Sequence, residues 1–405
     1  MPVLITFLMP FGVMVGPFVI LWFISSWFVF DKQKFVSGLK KPWFLLMFAF
    51  LLLHCVSGLL SDNKAEGLSS IEVKLSFLAF PYFFYLFGIS NSTVKRMVVA
   101  FVSACFFSLI FCLVHATYVY LTIGENEFFY NKFSILIHAG YFSMYMLFGI
   151  LILVFAYPLW FTNDKWVSII RYFFISSFLV GIFLCASKMG YIVALLILII
   201  VPFIKFKDKL NIKTIAISLV LIVGVIFSAL KFFPKPFERI NNALTTVSST
   251  NIDKTSSEST AVRLLIWDVS LDIIKENLLL GVGSGDANDV LQSKYREKGL
   301  TGALSHNLNT HNQFFQTTIA LGLVGGLVLI FLTFGALVYG IIKKHILLIL
   351  FSIIIILNFL VESMLQTQSG NLFFVGFLCI LLTKDVLNLQ EEQKAQISTP
   401  LRQMV

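Results

Sequence analysis

Residues 314–341 read FFQTTIALGLVGGLVLIFLTFGALVYGI, a run with no charged side chain. A hydrocarbon core about 30 Å thick takes about 20 helical residues to cross, so the run is long enough to span. It is continuous rather than alternating, which suits a helix and not a barrel strand. Comparable runs recur near residues 2–30, 42–60, 71–89, 95–123, 133–160, 166–187, 189–204, 213–232, 345–361 and 370–384. Composition agrees: 58% of the 405 residues are hydrophobic, 13% are charged and the mean hydropathy is +0.90, more apolar surface than a soluble core absorbs. The expected fold is an all-α polytopic membrane protein with about 11–12 transmembrane helices and one large external loop domain.

The basic residues fall in alternate connections: Lys32, Lys34, Lys40 and Lys41; Lys95 and Arg96; Lys165 and Arg171; Lys205, Lys207, Lys209 and Lys213; Lys343 and Lys344. The positive-inside rule puts these in the cytoplasm and the intervening connections outside. Four regions result: a transmembrane bundle over 1–232, an external loop domain over 233–313, further transmembrane helices over 314–384 and a cytoplasmic tail over 385–405. Pro10 and Pro17 make residues 2–30 either one kinked span or a re-entrant piece followed by a span. No basic n-region precedes them, which argues against a cleaved signal. The net charge of +9 sits in short cytoplasmic loops, so orientation and anionic lipid account for it without a nucleic-acid partner. The five cysteines lie in apolar runs without ligand spacing and read as packing residues.

The segment before residue 314 is the one substantial polar region, longer than an ordinary connection. Val262, Ile266, Val269, Leu271, Ile273 and Ile274 recur with helical spacing and predict an amphipathic helix over about Ser259–Glu276. Arg263 and Trp267 are one turn apart on it and share a face. Gly281, Gly283 and Gly285 then make a flexible turn that lacks the lysine and the βαβ setting of a nucleotide-binding loop.

Few residues suit chemistry. His311 opens the 314–341 helix; a histidine there is commonly a cap, but a neutral imidazole also accepts protons. Nearby cations would keep it neutral. Asn312 and Gln313 follow it and could orient the ring or bind a ligand. Lys188 sits in the short turn Ser187-Lys188-Met189-Gly190, and Lys74 lies beside Glu72; both read otherwise as snorkelling lysines. Glu362 follows a span so closely that it needs a cation or a polar cavity. His138, near Tyr141 and the outer face, is a further candidate binding residue. Asp286 and Asp289 lack the company of a metal site, so the reading is metal-independent.

The order of these residues resembles the O-antigen ligase and O-antigen polymerase superfamily, which includes protein O-oligosaccharyltransferases. The resemblance rests on His311-Asn312 followed by nine residues and then Gly322-x-x-Gly325, preceded by Arg263, Trp267 and the Gly-x-Gly turn. Gly322 and Gly325 are expected to allow close helix packing. The resemblance implies a glycosyltransferase of the bacterial inner membrane with its active site facing the periplasm and its C-terminus in the cytoplasm. It implies a polyprenyl-diphosphate-linked glycan donor, here written as an undecaprenyl diphosphate, a hydroxyl acceptor such as lipid A core, and no cofactor. Arg263 and Lys188 would hold the diphosphate, with Lys188 standing where the family usually carries arginine. His311 would act as general base in an inverting displacement; Lys74, Trp267, Asn312, Gln313, Glu362 and His138 would bind substrate. The single large external loop favours ligation to lipid A core in lipopolysaccharide biosynthesis over polymerisation or transfer to protein. A lipid-linked glycan flippase is the reading from another class, disfavoured because the span centres are nearly free of charge.

Overall fold

The computed structural model describes residues 1–12, 15–26, 28, 31–157, 164–206, 253–255 and 259–383. The expected span at 213–232, the polar stretch leading up to residue 253 and the tail at 385–405 lie outside them. The described elements are all helical: α1 (Pro2–Leu8), α2 (Gly16–Ser26), α3 (Lys32–Leu39), α4 (Pro42–Leu60), α5 (Lys64–Val73), α6 (Ser76–Pro81), α7 (Asn91–Ile123), α8 (Tyr130–Phe133), α9 (Ala139–Phe155), α10 (Lys165–Cys185), α11 (Lys188–Phe206), α12 (Ser259–Glu276), α13 (Ala287–Lys298), α14 (Thr301–Ser305), α15 (Gln313–Ile342), α16 (Ile346–Phe359) and α17 (Gln368–Thr383).

Among the described residues, five helical stretches are long and apolar enough to cross a membrane: Pro42–Leu60, Lys64–Phe87, Asn91–Ile123, Lys165–Cys185 and Gln313–Ile342. Six shorter apolar helices fill in around them. Of these, α9 is apolar on every side and almost wholly buried, as expected of a helix at the centre of a bundle. Tyr145 on α9 stacks on Phe373 of α17 with ring centroids 4.5 Å apart, and Phe148 meets Phe377 edge-on at 4.8 Å. Residues 2–30 do not form one span. α1 tightens into a turn at Met9–Phe11 and stops at Gly12, whose φ of 66° is left-handed. A Cβ there would lie 2.2 Å from the Leu136 carbonyl.

α15 is broken at Gly322, where φ is 66° and ψ is −165°. In an unbroken helix Ile319 O would take the N–H of Leu323. Here it takes Val282 N–H at 2.8 Å, Ala320 O takes Gly283 N–H at 3.1 Å, and Leu323 N–H donates to Leu278 O at 2.7 Å. The freed backbone groups are thus satisfied by the chain that follows α12, which is stitched onto the helix. A Cβ on Gly322 would fall 2.2 Å from Leu279 O. This corrects the helix-packing expectation: Gly322 admits a crossing loop, and the space at Gly325 is closed by Leu321 of its own helix.

Val262, Ile266, Val269 and Ile273 form the buried face of α12, whereas Leu271 is exposed. Asp286 fastens the same region to the α4–α5 connection by accepting from Asp62 N and Asn63 N, and Asp289 accepts from Asn63 Nδ2. These carboxylates serve as staples, and no group of metal ligands occurs among the described residues. The ends of α4, α10 and α16 and the starts of α5, α9, α11, α15 and α17 meet at this same end of the bundle, as the alternating connections require.

Candidate functional site

The His311 turn is held by its neighbours on all sides. His311 has a φ of 46°, a left-handed conformation unusual for a residue with a side chain. Its N–H donates to Asn309 Oδ1 at 2.9 Å. Thr310 N–H donates to Gln316 Oε1 at 3.2 Å, and Thr310 O accepts from the Trp267 indole at 3.0 Å. The Thr310 hydroxyl donates to Asn312 O at 2.8 Å and lies 3.0 Å from Ser363 Oγ. Asn312 caps α15, its Oδ1 accepting from Phe314 and Phe315 N–H. Gln313 Oε1 accepts from Leu365 N–H at 2.6 Å, and its Nε2 donates to Thr317. Both side chains are buried and engaged with protein groups. They shape the turn, and the expectation that they bind substrate is revised on that ground.

The bonds to Ser363 and Leu365 bring Glu362 against the histidine. One carboxylate oxygen, Oε1, accepts from Arg263 Nη2 at 2.5 Å, and the other lies 3.2 Å from His311 Nδ1. All three side chains are largely buried, at 18%, 19% and 23% exposed for Glu362, Arg263 and His311, so the contacts are only partly screened by water. Burial alone would push the Glu362 carboxyl up. The His311 hydrogen bond and the charge of Arg263 outweigh it and hold the group below the usual glutamate range.

An ionised carboxylate only accepts, so the His311 nitrogen facing it must carry the proton. Nδ1–H is then fixed toward Glu362, and Nε2 keeps the lone pair that a general base needs. The sequence predicts cations around His311; the group in direct contact is an anion, and the cation stands behind it. Among the described residues a single amino nitrogen of Arg263 engages Glu362, and its buried Nε has no partner, which leaves it further donors.

Glu362 and Arg263 border a small cleft of about 40 Å³ with Lys188, His138, Ser187 and Asn358. Lys188 Nζ donates to Thr260 Oγ1 at 2.8 Å, one turn from Arg263. His138 caps α9, accepting from Gly140 N–H through Nδ1. Lys74 is elsewhere. It is fully buried rather than snorkelling, pairs with no described carboxylate, and lines a separate cavity that shares no residue with the first. Sequence reasoning missed Asn309, Thr310, Gln316 and Ser363, which hold the turn; the run of polar residues flanking His311 is the signal that points to them.

The family model described as O-Antigen ligase matches residues 172–330, which contain Lys188, Arg263, Trp267, His311, Asn312, Gln313, Gly322 and Gly325. The match covers less than half of the chain, and what it establishes is a likeness over those residues. Lys74, His138 and Glu362 lie outside the matched residues. An uncharacterized protein of Haemophilus influenzae is 27% identical over 190 residues, 44% of this chain and 47% of its own length. The chain therefore spans about half the length of that curated relative. The matched residues overlap two of the five helices that, among the described residues, are long and apolar enough to cross a membrane.

Proposed function

We propose that the chain transfers a glycan from a polyprenyl diphosphate to an acceptor hydroxyl at the periplasmic face of the bacterial inner membrane, with lipid A core as the acceptor. The observation that carries this reading is Glu362 bridging Arg263 and His311 through its two oxygens. A lipid-linked donor already bears a good leaving group, so the protein needs to stabilise departing charge and activate a nucleophile. Arg263, with Lys188 on the same cleft, supplies charge and hydrogen-bond donors to the diphosphate. His311 Nε2 takes the proton of the acceptor hydroxyl as it attacks the anomeric carbon. The glycosyl C–O bond to the diphosphate breaks, the diphosphate leaves with its electron pair, and the carbon inverts in a single displacement. Glu362 fixes the imidazole and steadies the imidazolium. No step requires a metal ion.

The test is a strain lacking the native enzyme, complemented with wild type or His311→Ala at matched membrane levels. Loss of the whole lipopolysaccharide ladder with long-chain lipid-linked donor accumulating supports ligation. Loss of only the longer rungs replaces ligase by polymerase, and an unchanged ladder removes His311 from the chemistry.

A further inference from the structure

The separate cavity at Lys74 is not accounted for by the diphosphate cleft. It has a volume of about 230 Å³, room for a ligand rather than one or two waters at about 30 Å³ each. Its wall is rich in carboxamides: Asn288, Asn307, Asn309, Gln316 and Gln366. Asn288 is engaged at both ends, its Oδ1 accepting from Gln292 Nε2 at 3.4 Å and its Nδ2 donating to Asn307, and three others have their oxygens engaged. Asn307 Oδ1 accepts from Asn288, Asn309 Oδ1 from His311 N–H and Gln316 Oε1 from Thr310 N–H. Their NH₂ groups have no partner among the described residues, and the same holds for the whole Gln366 side chain. Ser284 Oγ, also on the wall, is buried and has no partner among the described residues. Lys74 underlies the cavity, and among the described residues its Nζ makes a single hydrogen bond, 3.4 Å to Ser70 Oγ. The one acid on the wall, Glu66, is exposed to solvent, where its charge is screened.

Such a lining offers donors in excess of acceptors above a buried lysine. It suits a ligand dense in oxygen acceptors and carrying negative charge, since the amide donors are free to bond such oxygens and an anion beside a buried lysine favours its charged form. We infer that this cavity is a saccharide subsite that takes an acidic sugar, separate from the diphosphate cleft. The inference rests on the glycan-transfer reading for its place in the reaction. Asn309 and Gln316 belong to the cavity wall and also hold the backbone of the His311 turn, so a sugar bound there touches the groups that set the base. The acidic sugar belongs either to the acceptor or to the donor glycan; the chemistry of recognition is the same.

The full-length protein in detergent, titrated by saturation-transfer NMR with glucuronate, glucose and inorganic diphosphate, tests this. Glucuronate is expected to bind more tightly than glucose. Asn307→Gly combined with Gln366→Ala weakens glucuronate about tenfold, the loss of one or two hydrogen bonds, and leaves diphosphate unchanged. Glycine suits residue 307 because its φ is 47°. Lys74→Met brings glucuronate down to the level of glucose. Glucuronate binding equally to wild type and double variant, or no better than glucose to wild type, overturns the subsite. Diphosphate binding that is absent, or indifferent to Arg263→Ala, tells against the transfer reading while leaving the cavity result intact. In transfer assays a raised KM for acceptor in the double variant assigns the sugar to the acceptor, and a raised donor KM assigns it to the donor glycan. Both KM values unchanged removes the cavity from the reaction.

Discussion

Replacing Glu362 by glutamine keeps the shape of the side chain and removes the charge that His311 and Arg263 share. A carboxamide has one accepting oxygen where the carboxylate has two, so it can serve Arg263 Nη2 or His311 Nδ1 but not both. If the amide oxygen stays with Arg263, its NH₂ faces His311 and forces Nδ1 to accept. The proton then moves to Nε2, where the account needs a lone pair. General-base catalysis contributes about 10²–10⁴-fold, and losing the correct tautomer should remove most of it, so kcat is expected to fall by about 10²–10³-fold. Donor KM should change less, by about tenfold or under, because Arg263 keeps its charge. The assay is glycan transfer by purified protein with a lipid-linked donor, resolving kcat from KM. Activity within about threefold of wild type would refute the reasoning. The same residue predicts a pH effect. Its folded-state pKa is lowered below the ordinary 4.5, so its stabilising contribution is present above that value and is lost as pH falls through the folded pKa. Thermal unfolding of wild type should therefore weaken below about pH 4.5 more steeply than that of Glu362→Gln.

Other substitutions separate the remaining roles. Arg263→Lys keeps the charge but loses the planar fork, and donor KM should rise about 10–100-fold, read from initial rates against donor concentration. Trp267→Phe keeps a ring but loses the 3.0 Å bond to Thr310 O; it should cost about 1 kcal/mol of stability and lower kcat more than it raises KM. Gly322→Ala puts a methyl 2.2 Å from Leu279 O at a φ of 66°, and should cost more stability than the roughly 1–2 kcal/mol of left-handed strain alone, read as a lowered Tm.

Parts of this site are legible in the sequence because they depend on local geometry. Arg263 and Trp267 fall on one face of a helix whose apolar spacing is plain, and both reach the His311 region. The physical cost of a carboxylate at a span end singles out Glu362 without any coordinates. The resemblance to the O-antigen ligase family follows from motif order, and that family's model matches residues 172–330. What the sequence does not disclose depends on long-range contact. Glu362 is 99 residues from Arg263 and 51 from His311, and nothing in spacing shows that it stands between them. Asn312 and Gln313 look available as binding residues until the backbone groups they satisfy are seen. Gly322 reads as a helix-packing glycine because the break in α15 is created by Leu278–Gly283, a segment remote in sequence. Lys74 groups with the other cations by charge alone, and only the fold shows that it underlies a different cavity.

The central claim is that His311, set by Glu362, is the base in a metal-independent inverting displacement on a lipid-linked glycan. The most direct test is transfer by the purified full-length protein in the presence of chelator, with a donor of known anomeric configuration, followed by linkage analysis of the product. The account predicts an inverted linkage, undiminished rate with chelator, and a loss of about 10²-fold or more with His311→Ala. A retained linkage, or a His311→Ala protein that transfers as fast as wild type, would contradict it.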